Sequence, residues 1–211
     1  MLAERQARGR GRGGRPWLAP PGRALLLSTL WRPVGRAAAG MVQVCGVAAL
    51  AALGRFGVAA RLKWRNDLLL DRAKVGGVLI ECAFTGERLD FLVAGIGLNV
   101  LQEAAELPPT AYPATSVRLA TGRRLDRAEL AAALLDELSD GYARWRLDPA
   151  ALFGRWRDGL DTLGRTVAVD GPDGRLVGRA VDVEPGGALI VEREDGRVER
   201  LVSGELLARD R

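Results

Sequence analysis

Arginines and glycines alternate in one short segment near the start of the chain, residues 6–17, with the sequence QARGRGRGGRPW. Glycines let a ligand approach the backbone closely, and the guanidinium groups of Arg10, Arg12 and Arg15 can each bind two oxygens of a phosphate or carboxylate. The indole of Trp17 can stack on a purine, although it equally fits a core anchor for the strand that follows. The segment predicts a loop that binds a multiply charged anion; a flexible arginine-rich tail that binds nucleic acid by charge is the alternative.

Lysine is rare in this chain, which makes the segment KWRND at 63–67 a second candidate, since only two of the 31 basic residues are lysines. Lys63 stands between two apolar neighbours, so its ammonium group would lose water if it points inward and would then need an anionic partner. That partner is either a ligand or an acid of the protein such as Asp67 or Glu81. Asn66 and Asp67 also fit the role of turn formers.

Two further segments carry glycines inside apolar, strand-like sequence: KVGGVLIE at 74–81 and GIGLN at 95–99. A glycine inside a strand marks the close approach of another backbone or of a ligand. GIGLN lacks the full G-x-G-x-x-G spacing and no clear helix follows it, so a dinucleotide-binding fold is disfavoured. We expect Gly76 and Gly77, together with the second segment, to form the floor of a pocket that faces the arginine-glycine loop and has room for a flat ligand.

The hydrophobic pattern predicts the elements that must hold these groups in place. Residues 23–31 indicate a buried strand, and residues 37–56 an apolar core helix. The segments within 58–100 are extended and separated by tight turns, which is typical of an antiparallel meander. A long helix should begin after Asp126, a suitable N-cap, and a short helix should cover 149–160.

Domain organisation follows from a change of pattern late in the chain. From Gly164 onward, short strands alternate with glycine-containing turns. We therefore predict an α+β fold: a mixed or antiparallel central sheet with helices packed on one side, plus a small C-terminal β-barrel. The predicted domains are 1–162 and 163–211, and a chain of 211 residues is long enough to bury a proper core.

Composition removes several classes of mechanism and of protein. The chain has no histidine, which excludes histidine zinc sites, Ser-His-Asp triads and histidine general bases. Cys45 and Cys82 are too few for a disulfide scaffold, and their apolar surroundings indicate reduced thiols. Without an apolar run of membrane-spanning length or a signal-peptide pattern, we expect a cytoplasmic protein.

Charge is distributed unevenly along the chain. The formal net charge is +5, yet residues 1–36 contain eight arginines and a single acid, Glu4. The remaining residues are therefore slightly acidic in total. The basic character belongs to the part of the chain that contains the arginine-glycine loop.

The chain carries six segments in a fixed order: GRGRGGRPW, PPG, ALLLSTLWRP, KWRNDLLLD, KVGGVLIE and GIGLNV. In this order and at these separations they resemble the catalytic domain of biotin protein ligases, the biotin–[carboxyl carrier protein] ligase family. The strand-rich C-terminal segment is similar to the small SH3-like domain of that family. The resemblance therefore covers nearly the whole chain.

This resemblance implies ATP-dependent ligation of biotin to the biotin carboxyl carrier protein domain of a biotin-dependent carboxylase. The carboxylate of biotin attacks the α-phosphate of ATP to give biotinyl-5′-adenylate, and a lysine of the carrier domain then takes the biotinyl group. Biotin and ATP are the substrates, and Mg²⁺ would bridge nucleotide oxygens with few direct protein ligands. The family also forms homodimers through its central sheet, so a homodimer is one assembly the resemblance implies; specific DNA binding and membrane association are not expected.

Residue roles follow from the same resemblance. Lys63 and Arg12 are the implied catalytic residues, which neutralise the reacting carboxylate and phosphate. The implied substrate-binding residues are Gln6, Arg10, Gly11, Arg12, Lys63, Gly76 and Gly77. The implied nucleotide-binding residues are Arg10, Arg12, Arg15, Trp17 and Asn99. Trp17 would flank the adenine, the two strand glycines would leave room for the rings of biotin, and no protein metal ligand is implied.

This sequence departs from the family pattern at three points. Arg65 stands where the family usually has proline, and Gly13 replaces a common arginine. The family normally carries a strand and a helix with a Ser-Thr-Asn motif, which hydrogen-bonds biotin, ahead of the arginine-glycine loop. These 211 residues do not supply that motif. We expect that the recorded start is too late; a fragment is the second explanation and a degraded paralogue the third. On the same ground we expect no N-terminal helix-turn-helix and no repressor role.

Three other functions compete with the ligase hypothesis. One is an inactive or truncated paralogue that keeps the fold and binds the acceptor protein. A second is a nucleic-acid-binding protein that uses the arginine-glycine loop, and a third is a lipoate or octanoate transferase. Under the ligase hypothesis we expect Lys63→Ala to weaken biotinyl-adenylate formation by more than its effect on folding, and Lys74→Ala to be nearly silent.

Overall fold

The computed structural model describes residues 1–32, 38–108, 112–171 and 174–207. Its strands form two antiparallel sheets, one of six strands and one of five, and its longer helices pack together against one face of the larger sheet. This arrangement confirms the predicted α+β class. The predicted helix start at Ala37 lies outside the described residues. None of the helices that the described residues form combines the length and hydrophobicity needed to cross a membrane.

The larger sheet is built from six strands. They are β1 Leu2–Ala3, β2 Ala24–Trp31, β3 Arg61–Lys63, β4 Asp67–Leu70, β5 Ala73–Thr85 and β6 Arg88–Asn99. Their order across the sheet is β1-β2-β6-β5-β4-β3, and every pair of neighbours is antiparallel. Strands β3 to β6 follow one another through tight turns, which confirms the predicted meander.

Four α-helices are present among the described residues: α1 Ala38–Arg55, α2 Val117–Thr121, α3 Arg127–Leu147 and α4 Pro149–Gly159. Helix α3 begins after Asp126, whose carboxylate accepts hydrogen bonds from two backbone N–H groups of the first turn at 2.7 and 3.0 Å. Leu130, Leu134 and Leu138 recur every four residues and are buried on one face of the helix. Both the cap and the buried face agree with the sequence prediction.

Alternation along β6 gives the larger sheet two different faces. The side chains buried on the helix side are Leu92, Ala94, Ile96 and Leu98. Because successive side chains of a strand point to opposite faces, positions 93, 95, 97 and 99 lie on the side away from the helices. Two of those positions are glycines, Gly95 and Gly97, so this second face is bare of side chains over part of its surface.

The smaller sheet is formed by the C-terminal part of the chain. Its strands are β7 Thr166–Gly171, β8 Gly174–Val183, β9 Leu189–Glu192, β10 Val198–Leu201 and β11 Glu205–Leu206. They pair in the order β10-β9-β8-β7-β11, all antiparallel. Five strands agree with the predicted limit of five. Closure into a barrel and a domain boundary at residue 162 stay predictions.

Trp64, directly after β3, joins the two sheets. Its side chain is almost fully buried, and its indole Nε1 donates a hydrogen bond to the Gly187 carbonyl at 2.8 Å. Its backbone N–H donates to the Thr162 hydroxyl at 2.9 Å. These contacts hold the smaller sheet beside the end of β3, next to Lys63.

Replacing Thr162 with valine should lower the free energy of unfolding by about 1–3 kcal/mol, because the buried backbone N–H of Trp64 loses its acceptor. Urea denaturation measures this change. Thr166→Val is the matched control, since Thr166 is exposed at the start of β7, and we expect it to change the same quantity by less than about 0.5 kcal/mol. Equal losses in both variants would contradict the role of the Thr162 hydroxyl.

Candidate active site

A cavity of about 510 Å³ lies between the arginine-glycine loop, the bare face of the larger sheet and the end of the smaller sheet. Its volume falls in the range of small-molecule sites. Nine of the ten site residues predicted from the sequence line it: Gln6, Arg10, Gly11, Arg12, Arg15, Trp17, Lys63, Gly77 and Asn99. Residues far apart in the chain therefore converge on one site.

The arginine-glycine loop is a folded hairpin. The backbone N–H of Gly11 donates to the Arg15 carbonyl at 2.7 Å, and that of Trp17 donates to the Gly9 carbonyl at 2.9 Å. Gly13, at the tip of this hairpin, has a φ of 64°, a conformation that glycine adopts at little cost. The loop is thus ordered against the cavity, which disfavours the alternative of a flexible tail that binds nucleic acid.

Three of the loop arginines, Arg10, Arg12 and Arg15, are each held by an acceptor of the protein. Arg10 pairs with Glu81 of β5 at 3.0 Å, on the exposed rim. Arg12 is partly buried and donates to the Asn66 side-chain oxygen at 2.9 Å and to the Gly204 carbonyl at 3.2 Å. These acceptors come from both sheets, so the two sheets together orient the guanidinium groups.

Arg15 and Arg65 make two further contacts between the cavity and the C-terminal strands. Arg15 pairs with Glu205 of β11, and the guanidinium group of Arg65 donates to the Val202 carbonyl. Burial, and then the neighbouring charge of Arg12, lower the pKa of Arg65. Arg65, which stands in place of the usual proline, therefore reaches the smaller sheet while Lys63 still faces the cavity.

Lys63 is a buried cation in the wall of the cavity, with only 7% of its surface exposed. Its ammonium nitrogen lies 3.5 Å from a carboxylate oxygen of Asp67 and 3.9 Å from the centroid of the Tyr112 ring. Burial lowers the pKa of Lys63, and the charge of Asp67 opposes that shift. Of the two acids considered in the sequence analysis, the partner is Asp67.

Lys74 also lines the cavity. The expectation that Lys74→Ala is nearly silent assumed that this residue lies away from the site, and that assumption is wrong. Its ammonium nitrogen lies 2.7 Å from Asp67 and 5.8 Å from the centroid of the Trp17 ring. Asp67 is therefore more than a turn former, because it binds both lysines of the chain. Asn66 likewise has a specific role, since its amide accepts from Arg12 and donates to the Val78 carbonyl at 2.6 Å.

The floor of the cavity is the glycine-bearing face of β6. A Cβ atom on Gly97 would lie 2.7 Å from the Trp17 ring, so the indole rests directly on the strand only because Gly97 has no side chain. A Cβ on Gly95 would meet only the Leu79 carbonyl, at 3.7 Å, and would otherwise project into open space. Gly97 thus seats the tryptophan, and Gly95 leaves the floor clear.

Gly76 does not line the cavity, so the expectation that it leaves room for a ligand is wrong. A Cβ on Gly76 would lie 2.5 Å from the Gly97 carbonyl and 2.6 Å from a methyl carbon of Leu98. The close approach that this glycine permits is to the neighbouring strand. Gly77, one residue later, points to the other face of β5 and does line the cavity.

Asn99 lies at the end of β6, where the cavity wall meets the next loop. Its side-chain nitrogen donates to the Thr115 carbonyl at 3.0 Å, and its side-chain oxygen accepts from Gln102 at 2.8 Å. Both polar ends of the amide are therefore engaged by buried protein groups. Asn99 fixes the loop beside the cavity in this structure, and its role toward a nucleotide stays a prediction.

Sequence reasoning missed several residues of this site. For Lys74 the signal was present, because it is one of only two lysines in a chain dominated by arginine. Gly95 and Gly97 belong to the segment that was expected to form the pocket floor, and the period of two along the strand places both on one face. Tyr112 and Glu205 carried no local signal, since their places depend on how distant parts of the chain pack.

Two family descriptions match this chain: the biotin/lipoate A/B protein ligase family over residues 1–99, and the biotin protein ligase C-terminal domain over residues 162–206. The biotin–[acetyl-CoA-carboxylase] ligase of Paracoccus denitrificans is 37% identical over 93% of this chain and 85% of that protein. The bifunctional ligase/repressor BirA of Escherichia coli (strain K12) is 34% identical over 99% of this chain, which spans 65% of that protein's length. Among solved structures, the biotin protein ligase from Aquifex aeolicus in complex with biotin and ATP superposes with a TM-score of 0.84 and 31% identity, covering 99% of this chain and 88% of that one.

Two glycine-to-alanine variants separate strand packing from the cavity floor. Gly76→Ala should lower the free energy of unfolding by about 1–3 kcal/mol, because its Cβ would collide with the Gly97 carbonyl of β6. Gly95→Ala should leave that quantity unchanged or raise it by up to about 1 kcal/mol, since the new methyl group meets only ordinary contacts. Urea denaturation measures both, and the reverse order would contradict these placements.

Proposed function

The chain belongs to the biotin protein ligase family, and from that premise we propose that it is an ATP-dependent ligase that attaches biotin to a carrier protein. In the first step the biotin carboxylate attacks the α-phosphorus of ATP, pyrophosphate leaves, and biotinyl-5′-adenylate forms. In the second step the amino group of an acceptor lysine attacks the acyl carbon. AMP then leaves, and an amide bond joins biotin to the acceptor.

The observation that carries this proposal is the convergence of cations on one cavity. Four guanidinium groups from the arginine-glycine loop and the buried ammonium group of Lys63 line a space of about 510 Å³. A reaction between a carboxylate and a triphosphate needs such a site, because both reactants are anions. At a separation of about 4 Å, two unit charges repel by about 4 kcal/mol at an effective dielectric constant of 20.

Lys63 and Arg12 are the residues we assign to the reacting groups. Their positions are fixed before any ligand binds, Lys63 by Asp67 and Arg12 by Asn66 and Gly204. Cations that are already in place can stabilise the charge that develops on the α-phosphate without rearranging in the transition state. No general base is needed for this step, because a carboxylic acid is ionised at neutral pH.

The nucleotide and the vitamin would occupy different ends of the cavity. We assign the adenine to Trp17 and Asn99, with Arg10 and Arg15 turned toward the phosphates. We assign the rings of biotin to the bare floor at Gly77 and Gly95, since Gly76 faces the adjacent strand. Gln6 and Gly11 complete the rim on the hairpin side.

We propose that ATP binds as its Mg²⁺ complex and that the nucleotide itself holds the ion. Among the described residues, no group of three or more acidic or cysteine side chains is arranged to bind a metal. The carboxylates at the cavity already have cationic partners: Asp67 binds the two lysines, and Glu81 and Glu205 each bind a loop arginine. Such a site suits an ion that arrives with its nucleotide.

The acceptor is a protein. We propose a biotin carboxyl carrier protein domain, which would present its lysine at the open side of the cavity. The division of the chain into a catalytic domain, 1–162, and a small C-terminal domain, 163–211, belongs to the same proposal. Contacts of Arg12, Arg15 and Arg65 with residues 202–205 support a role for the second domain in shaping the site.

The first test uses the full chain with labelled biotin, Mg–ATP and a carrier domain. We expect biotin-dependent release of pyrophosphate and label on the carrier, and no label on a carrier whose acceptor lysine is replaced by arginine. Lys63→Ala should reduce pyrophosphate release by about 100-fold or more, because it removes a cation aimed at the reacting oxygens. Failure of the unaltered chain to release pyrophosphate or label the carrier would contradict the proposed function.

A second test blocks the floor without disturbing the fold. Gly95→Val should abolish biotin binding, measured by calorimetry, because its side chain would extend from β6 into open cavity space. The free energy of unfolding should change by less than about 1 kcal/mol, since valine suits a strand. Undiminished biotin binding by a folded Gly95→Val variant would rule out this part of the floor as the biotin site.

A further inference from the structure

Gln102, three residues after the end of β6, carries a buried amide behind the wall of the cavity. None of its surface is exposed. Its side-chain nitrogen donates to Oδ1 of Asn99 at 2.8 Å, and Asn99 lines the cavity. Among the residues that the structure describes, Gln102 is not part of the cavity lining. Any influence of Gln102 on a ligand therefore passes through Asn99.

A backbone carbonyl fixes the direction of these hydrogen bonds. Nδ2 of Asn99 lies 3.0 Å from the Thr115 carbonyl, which can only accept, so the N–H end of Asn99 must face it. The other end of that amide, Oδ1, then faces Gln102 and needs a donor there. The Thr115 carbonyl thus determines the orientation of Asn99 and, through it, that of Gln102.

The backbone of Gln102 is held in place by the start of helix α2. The buried Ser116 hydroxyl donates to the Gln102 carbonyl at 2.7 Å and accepts from the backbone N–H of Leu119, in the first turn of α2, at 3.1 Å. One residue before Gln102, the Leu101 N–H donates to the Arg23 carbonyl at 2.8 Å. The glutamine side chain therefore projects from a fixed backbone.

The side chain of Gln102 also contains an unpaired acceptor. Its Oε1 is buried and accepts no hydrogen bond from the described residues. Such an atom lowers stability, because it loses its hydration and gains no partner. A methionine of similar size would avoid this loss, so stability alone does not explain an amide at this position. What the amide provides is the donor to Asn99.

Asn99 keeps hydrogen-bonding capacity for a group in the cavity. An asparagine amide has two N–H donors and two oxygen lone pairs, and the bonds to Thr115 and Gln102 use one of each. The remaining donor and lone pair are complementary to adenine, whose 6-amino group donates and whose ring nitrogens accept. Guanine carries an oxygen in place of that amino group, and this oxygen would face Oδ1 without a proton between them.

We propose that Gln102 is a positioning residue that fixes the amide plane of Asn99 and thereby makes the nucleotide site selective for adenine. A single bond to Thr115 would leave the amide free to rotate about that bond, whereas bonds at both ends define its plane. The inference rests on the proposed function, because adenine enters the site as part of ATP.

The experiment compares ATP with the triphosphate of purine riboside, which lacks only the 6-amino group. In biotin-dependent release of pyrophosphate, the unaltered chain should prefer ATP by about tenfold in kcat/KM, the effect of one hydrogen bond. Gln102→Met should reduce this preference to about threefold or less, by raising the KM for ATP while kcat stays nearly unchanged. A variant that loses activity equally with both nucleotides has a structural defect only, and that result would overturn the proposal.

Gln43→Met is the matched control. Gln43 is also buried, and its amide donates to the Pro185 carbonyl at 2.8 Å; neither residue lines the cavity. This variant should keep the full preference for ATP. In an Asn99→Ala background, Gln102→Met should cause no further loss of preference, because its effect passes through Asn99. A reduced preference in Gln43→Met, or a further loss in the double variant, would contradict the assignment.

A measurement without turnover tests the contact itself. Asn66 and Asn99 are the two asparagines of the chain, so ¹⁵N-labelled asparagine gives two side-chain amide groups in an NMR spectrum. Gln102→Met should shift the Asn99 amide signals and speed their exchange with water, and it should leave the Asn66 signals unchanged. Unaltered Asn99 signals in the folded variant would show that Gln102 does not hold this amide.

Failure of the positioning role and failure of the proposed function give different results. If the unaltered chain releases no pyrophosphate with biotin and ATP, the proposed function fails, whereas the asparagine spectra still decide whether Gln102 holds Asn99. If Gln102→Met does not fold, Gln102→Leu takes its place. Equal kcat/KM of the unaltered chain for the two nucleotides would overturn the selectivity for adenine whatever the variants do.

Discussion

The structure depends on one constraint: several positively charged side chains must be held close together around a single cavity. The cationic side chains that line the cavity include Arg10, Arg12, Arg15, Lys63 and Lys74. Like charges at such separations repel, so each cation needs an acceptor from another element. Those acceptors are Glu81, Asn66, Asp67, Glu205 and the carbonyl of Gly204. Strands β4 and β5, the turn that precedes β4 and the end of the smaller sheet therefore have to meet before the hairpin can keep its place.

The acceptors differ in burial, and this difference suits the proposed chemistry. The pairs of Arg10 with Glu81 and of Arg15 with Glu205 are exposed, and exposed pairs contribute at most about 1 kcal/mol. An incoming phosphate can take over such a guanidinium group at little cost. Lys63 is buried beside Asp67 and has no comparable freedom. The site thus combines cations that can turn to the ligand with one cation that stays fixed at the cavity wall.

Space is the second condition, and β6 meets it through its two faces. The helix side of the strand is filled with buried apolar side chains, whereas the other side is bare at Gly95 and Gly97. Trp17 occupies the space above Gly97 and lines the cavity there. The same strand therefore packs against the core on one face and leaves space for a ligand on the other. Gly76 lets β5 pair closely with β6, so that β5 also contributes to both faces. Because side chains alternate along the strand, one face contributes to stability and the other leaves space for a ligand.

The amino-acid sequence by itself determined the elements and the family, because strand alternation, helix periodicity, capping at Asp126 and the spacing of six motifs are all local properties. Nine of the ten site residues that it predicted line the cavity. Only the tertiary structure decided that Gly76 serves the neighbouring strand, that both lysines share Asp67, and that Glu205 reaches Arg15 across 190 positions of chain. Those outcomes depend on strand register and on the meeting of two sheets, and contacts between distant segments leave no trace in the pattern of either segment alone.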